Sequence, residues 1–346
     1  MAQEQILKGG LIGCGYFSNN HLNAWHDVIG AEVIAVCDQD IERAQKTAEK
    51  FGIKKVYTDA NTMLQNEHLD FVDVVTQAPA HRTLVELVAS HGVHVICQKP
   101  FAPTMEDARA MVIACKQAGV QLMVHENFRW QRPIRAVKEA SKNIGDLFFG
   151  RVVFRNDHDI FTNQPYLAKD ERFIIYDLGI HLLDMARFLM GDVSRLFCHT
   201  QSVNPHVRGE DTATMTLVMQ SGATCVVEAC YYSHLARDIF PQTLIHLEGT
   251  KGSVILGADY NLTIVVDGEV ETHLVPPQPP VWASGPGVAI QEGVLAIEQH
   301  FVQCLKDGKE METSGFDNLK TLELVFGAYE SAEQQMVYTT EAALGT

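Results

Sequence analysis

Asp177 and His181 stand four residues apart in the stretch IIYDLGIHLLDMARFL, residues 174–189. The stretch reads as one apolar helix, and residues at that spacing share a helix face. An imidazole can take a hydroxyl proton near neutral pH. A carboxylate one turn earlier can orient a substrate hydroxyl or hold the ring. The same pair also suits a plainer reading, in which Asp177 caps the helix and His181 is an ordinary core residue.

A second group with chemical potential is GLIGCGYFS, which contains Gly13-x-Gly15-x-x-Ser18. Gly13 permits a tight turn, and Gly15 lets the backbone approach a pyrophosphate at a helix N-terminus. Ser18 stands where a third Gly or Ala is usual. Such a string is weak by itself, but Asp38 follows about 20 residues on, at the end of the next apolar run, AEVIAVCD. A carboxylate there accepts a hydrogen bond from a ribose 2′-hydroxyl and repels a 2′-phosphate, which favours NAD over NADP. The competing readings are a strand-end Asp capping the next helix, and a methyltransferase that pairs a glycine loop with a strand-end acid to hold S-adenosylmethionine.

Positioning these groups requires a scaffold, and the first third of the chain supplies one. Short apolar runs (ILKGGLIG, AEVIAVCD, FVDVVTQ, VHVICQKP, VQLMVHENF) alternate with amphipathic stretches such as DIERAQKTAEKFG and TMEDARAMVIACKQAG. The second of these opens with Thr104 and Asp107 in capping-box style and closes at Gly119. That alternation predicts βαβ units and a doubly wound parallel sheet. After about residue 130, strands follow one another with short turns, predicting a largely antiparallel sheet with the 174–189 helix inserted and two helices near the end. The expected division is 1–128 for a nucleotide-binding domain and 129–346 for an α+β domain.

Composition narrows the partners. Lys and Arg total 27 against 43 Asp and Glu, a net charge of −16, which repels phosphate backbones and anionic membranes. No apolar run reaches the roughly 18 residues of a membrane span. The eight cysteines show no metal-ligand spacing, and the opening residues do not read as a secretory leader. The expectation is a reduced, cytoplasmic protein with no nucleic-acid or membrane partner.

Five stretches taken in order (GCGYFSNNH, TQAPAHRTL, CQKPFAPT, HENFRW and DLGIH) resemble the glucose–fructose oxidoreductase, inositol dehydrogenase and rhizopine catabolism family, Gfo/Idh/MocA, over nearly the whole chain. The resemblance implies a Rossmann domain followed by an α+β domain whose open sheet joins subunits into a homodimer or homotetramer. It implies a dehydrogenase that oxidises a small sugar or polyol with NAD, with D-apiose converted to its lactone as the substrate suggested by the wording of the motifs. Lys99 then polarises the reacting oxygen, His181 is the general base, and Asp177 orients substrate or imidazole. Gly13, Gly15, Tyr16, Phe17, Asp38, Thr76, Gln77, Pro79, His81, Gln98 and Lys99 are expected along the cofactor. Gln98 departs from the family's Glu-Lys-Pro and leaves open how Lys99 is held.

Substrate contacts are expected from Lys99, His158, Asn163, Arg172, Asp177 and His181. Asp157 and Tyr166 are weaker candidates, and Arg129 is either structural or near the site. Asp157, His158, Asp159, Asp177 and His181 gather acids and histidines, yet nothing in the family pattern supports a metal, and none is expected. The rival functions are an NAD-dependent glycosidase or epimerase using transient oxidation, and a non-catalytic NAD-binding sensor.

Overall fold

The alternating first third folds as its periodicity predicts. In the computed structural model, which describes residues 6–341, the order is β1 (Leu7–Ile12), α1 (Ser18–Asp27), β2 (Ala31–Cys37), α2 (Ile41–Phe51), β3 (Lys55–Tyr57) and α3 (Ala60–Asn66). β4 (Phe71–Val74), α4 (Ala78–Ser90), β5 (His94–Gln98), α5 (Met105–Ala118) and β6 (Leu122–His125) follow. The six strands pair in parallel in the order β3-β2-β1-β4-β5-β6. β4 and β6 are buried along their whole length, as strands covered on both faces must be. The strand order reverses between β1 and β4, and ligands of such sheets bind beyond the carboxyl ends of the strands at that reversal.

Local chemistry sets the helix ends. The Asp40 carboxylate accepts the backbone N–H groups of Glu42 and Arg43 at the start of α2. Thr104 does the same for Asp107 N–H at the start of α5. Gly52 and Gly119 end the two helices in the left-handed region, at φ 69° and 70°. The opening residues 1–5, read above for a leader, lie outside the described residues.

The second sheet is assembled from β7 (Leu147–Arg155), β8 (Val193–Gln201), β9 (Thr212–Met219), β10 (Thr224–Cys230), β11 (Leu244–Gly249), β12 (Gly252–Leu256), β13 (Asn261–Val266), β14 (Glu269–Leu274) and β15 (Tyr338–Thr339). Their order is β14-β13-β12-β11-β7-β10-β9-β8-β15. β7 and β10 run parallel, and the other pairings are antiparallel. Helices α6 (Arg132–Ser141) and α7 (Ile180–Met190) fall before β7 and between β7 and β8, and α8 (Val288–Asp307) and α9 (Gly315–Gln334) precede β15. Nearly every residue of α7 is buried. A Cβ on Gly150 of β7 would lie 2.2 Å from Met190 Sδ, so this glycine admits the last turn of α7 close to the sheet.

The chain forms two compact units. One holds the chain up to Asn127 with Pro280–Trp282 and Gly293–Leu319; the other holds Phe128–Pro279, Ala283–Glu292 and the chain from Lys320. The eight cysteines are buried free thiols, and burial pushes the Cys14 thiol up to about 11. Among the described residues, no helix is long and apolar enough to cross a membrane.

Candidate active site

In the first unit, the turn after β1 is shaped by two glycines with different jobs. Gly13 has φ 100°, and a Cβ on it would lie 2.5 Å from the carbonyl oxygen of Val75. Its side-chain-free backbone lets the turn pack on the loop after β4. A Cβ on Gly15 would meet nothing within 4 Å, so the N-terminus of α1 presents open backbone there. The Ser18 hydroxyl, fully buried, donates to the Gly15 carbonyl at 2.7 Å. Serine in the third position thus ties the turn to the helix. Tyr16 is 62% exposed, and Phe17 sets its edge against His21.

Asp38 follows the last residue of β2 with a largely buried carboxylate. Oδ2 accepts Cys14 N–H at 2.8 Å, and Oδ1 accepts Asp40 N–H at 2.9 Å. The α2 cap is Asp40, so the capping explanation for Asp38 does not hold. Each carboxylate oxygen retains a further lone pair for a ribose hydroxyl. Arg43 stands 3.7 Å from Asp38.

After β4, the Thr76 hydroxyl oxygen is buried without a hydrogen-bond partner. Gln77 precedes α4, and Pro79 occupies its first turn. His81 is fully buried, with Nδ1 and Nε2 each 3.0 Å from a backbone carbonyl, those of Phe101 and Thr76. Burial lowers its pKa. His81 therefore joins the loops after β4 and β5, its nitrogens already committed to the backbone. An orphaned Thr76 hydroxyl, open backbone at Gly15 and spare acceptors on Asp38 fit a dinucleotide at the strand reversal.

β5 ends in Gln98, followed by Lys99. The Gln98 Oε1 accepts the backbone N–H of Lys99 at 2.6 Å, and its Nε2 lies 2.9 Å from His21 Nε2. The amide that replaces the expected glutamate thus holds Lys99 through the main chain.

In the second unit, the run predicted as one α-helix over 174–189 begins differently. Residues Ile175–Gly179 form a π turn, and α7 starts at Ile180. The reason lies in Glu210. Its carboxylate accepts Phe173 N–H and Ile175 N–H at 3.2 Å, and its own carbonyl accepts Ile174 N–H at 3.0 Å. The Tyr329 hydroxyl donates to Glu210 at 2.7 Å and receives Tyr176 N–H. The helix start is therefore held by a distant acid rather than by Asp177, which lies inside the π turn. π turns of this kind occur frequently at functional sites.

His181 is 4% exposed and stacks on Phe128. Arg129 makes a buried two-pronged pair with Asp184, at 2.7 and 2.6 Å. Burial and then the Asp177 charge raise the Asp170 carboxyl and push the Tyr166 hydroxyl up to about 12. Tyr166 and Asp170 thus lie within the field of Asp177. His158 stacks on Phe240 and lies 3.2 Å from Asp238, while Asp157 pairs with His234. Arg172 lies over the Tyr329 ring and near Glu333, and Asn163 is exposed. Glu210, Tyr329 and Asp184 escaped the sequence reading. Only Asp184, one turn beyond His181, carried a local signal.

A glycine turn and a strand-end acid on a sheet of this order define a dinucleotide-binding domain. The chain belongs to the Gfo/Idh/MocA family: residues 7–126 match the oxidoreductase family, NAD-binding Rossmann fold, and residues 134–255 match the GFO/IDH/MocA C-terminal domain. NAD is its cofactor. The chain is 55% identical to the D-apiose dehydrogenase of Paraburkholderia graminis, covering 95% of this chain and 88% of that one. It is 50% identical to the D-apiose dehydrogenase of Rhizobium rhizogenes, covering 94% and 95%. The crystal structure of an oxidoreductase from Agrobacterium radiobacter in complex with NAD+, L-tartaric acid and magnesium superposes with a TM-score of 0.95 at 49% identity, covering 96% and 98%.

Proposed function

We propose that this protein oxidises D-apiose, at the anomeric carbon, to its lactone with NAD. The observation that carries the substrate is that two relatives, at 55% and 50% identity over 88% and 95% of their lengths, are D-apiose dehydrogenases. Gly13, Gly15, Asp38 and Thr76 hold the cofactor in this reading, with Tyr16, Phe17, Gln77, Pro79, Gln98 and Lys99 beside them and His81 bracing their loops. Bound NAD supplies the acceptor for the hydride that leaves the sugar carbon.

The chain's own residues manage the proton and the charge. An imidazole nitrogen of His181 takes the hydroxyl proton, a role general-base catalysis rewards by about 10²–10⁴-fold. The Lys99 ammonium stabilises the alkoxide character that builds on the oxygen. Asp177 orients the substrate hydroxyl. The burial of His181 and its stacking on Phe128 support a base held in one orientation. The Tyr166 and Asp170 shifts support a polar surrounding for Asp177. His158, Asn163 and Arg172 are assigned to substrate contacts at longer reach. The same reading divides the chain at 1–128 and 129–346, joins subunits through the nine-stranded sheet as a homodimer or homotetramer, and places the protein in the cytoplasm.

The test is to mix the purified protein with NAD, and separately with NADP. The absorbance of reduced nicotinamide is then followed across aldoses, branched furanoses including apiose, inositols and sugar acids. NAD reduction confined to apiose is the expected outcome. Reduction by another sugar class renames the substrate. Silence across the panel, with NAD bound, overturns the dehydrogenase reading in favour of a glycosidase or a sensor.

A further inference from the structure

Beneath Lys99 in the first unit lies a fully buried polar cluster that the catalytic reading does not use: His21 of α1, Asp73 of β4, His125 at the end of β6 and Glu298 of α8, all 0% exposed. Asp73 Oδ2 accepts Trp25 Nε1–H at 2.7 Å and lies 2.8 Å from His21 Nδ1. Glu298 Oε1 lies 3.4 Å from His21 Nδ1 and 3.7 Å from His125 Nε2. The rings of His21 and His125 are 4.1 Å apart.

The hydrogen-bond network assigns one tautomer. Lys99 N–H can only donate, so the atom of Gln98 that meets it is the carbonyl Oε1. The other end of the amide is then NH2, a donor aimed at His21 Nε2. His21 Nε2 must accept, which puts the ring proton on Nδ1, facing Asp73. His21, His125 and Glu298 bring ligand atoms within 4.8 Å of one another, but a metal on His21 Nδ1 would move the ring proton to Nε2, donor against donor at the Gln98 NH2.

We propose that His21 is a positioning residue for Lys99, acting through Gln98: the lone pair on Nε2 orients the Gln98 amide so that its oxygen holds the Lys99 main chain. The proposal rests on Lys99 serving the reaction. It explains why an uncharged amide can stand where the resembling family carries a glutamate. Gln98 satisfies His21 and Lys99 together, without adding another carboxylate beside Asp73 and Glu298. Gln98, 77 residues beyond His21 in sequence, links it to the Lys99 main chain.

Two substitutions separate this role from mere filling of the core. His21→Asn places an amide near Nδ1, keeping a donor for Asp73 and deleting the acceptor for Gln98. His21→Gln reaches the Nε2 position and restores an acceptor there. The expected result is that His21→Asn lowers kcat for the sugar found in the panel by about 10- to 100-fold, with NAD affinity unchanged, and that His21→Gln recovers most of the loss. A structural role tied to Asp73 predicts the reverse order, and that order, in variants with equal thermal stability, overturns the proposal.

In a Lys99→Met background His21→Asn adds no further loss; a multiplied loss overturns the proposal. Wild-type turnover by Lys99→Met overturns it through its premise. A normal Lys99→Met defect with an inert His21→Asn overturns it alone. Should both His21 variants unfold, nitrogen NMR of the wild-type protein labelled in histidine decides: a proton on Nδ1 is expected, and a proton on Nε2 overturns the proposal.

Discussion

The imidazole of His181 lies flat on the phenyl ring of Phe128, with centroids 3.9 Å apart and 7° between the planes. The neighbouring residue, Arg129, grips Asp184 one turn further along α7. Two consecutive residues of one short 3₁₀ turn, Phe128–Trp130, therefore hold the start of the helix that carries the proposed base.

Phe128→Leu keeps apolar volume and removes the stack. An aromatic pair contributes about 0.5–1.5 kcal/mol beyond burial, so kcat is expected to fall by up to about tenfold, with NAD affinity unchanged. Steady-state kinetics beside NAD titration check this, and unaltered turnover removes the stack from the mechanism. Phe128→Ala is expected to cost about 3–5 kcal/mol of stability, seen as an early melting transition.

Glu210 serves two backbone N–H groups and the Tyr329 hydroxyl with its carboxylate. Glu210→Gln replaces one acceptor oxygen with a donor and leaves at least one buried group unpaired, at about 1–3 kcal/mol. Since those N–H groups begin the π turn around Asp177, turnover is expected to drop more than NAD binding. A variant that melts early but turns over normally while folded would show that the clamp stabilises without positioning.

Asp38 carries the cofactor preference. Asp38→Ala removes a charged acceptor, worth about 1.5–3 kcal/mol, and frees Arg43 to meet a 2′-phosphate. NAD affinity is expected to fall at least tenfold while NADP is lost less or gains. Titration of both nucleotides measures it, and an equal loss for both would return Asp38 to a purely structural role at Cys14 N–H.

Glu298 yields a pH prediction. Burial first, and the Asp73 charge second, raise its carboxyl well above the ordinary 4.5. The folded protein thus keeps a proton that the unfolded chain releases. The associated stability is full below about pH 4.5 and is lost as pH rises toward the folded value, at about 1.4 kcal/mol per pH unit. Glu298→Gln has no proton to lose. Its melting temperature is expected to gain on the wild type as pH rises above about 4.5, and parallel pH profiles for the two proteins would reject a protonated Glu298.

What the sequence determined by itself was local. Gly13, Gly15 and Asp38 lie on one strand–turn–helix–strand unit whose spacing is set by the chain, and the alternation of strand and helix left little choice of first sheet. Thr104 with Asp107, and the glycines at 52 and 119, state their helix ends within four residues. Tertiary structure decided what depends on partners far along the chain. Glu210, 35 residues beyond Ile175, turned the expected α-helical start into a π turn, because a buried carboxylate meeting the first N–H groups outweighs the local pattern. His21 gave Gln98 its meaning, and Phe128 gave His181 its orientation. Gly293–Leu319 joined the unit of the first sheet although it lies near the other end of the chain. Spacing within one element is written in the chain, whereas the partner of a buried polar group is chosen by packing, which brings together residues no local pattern connects.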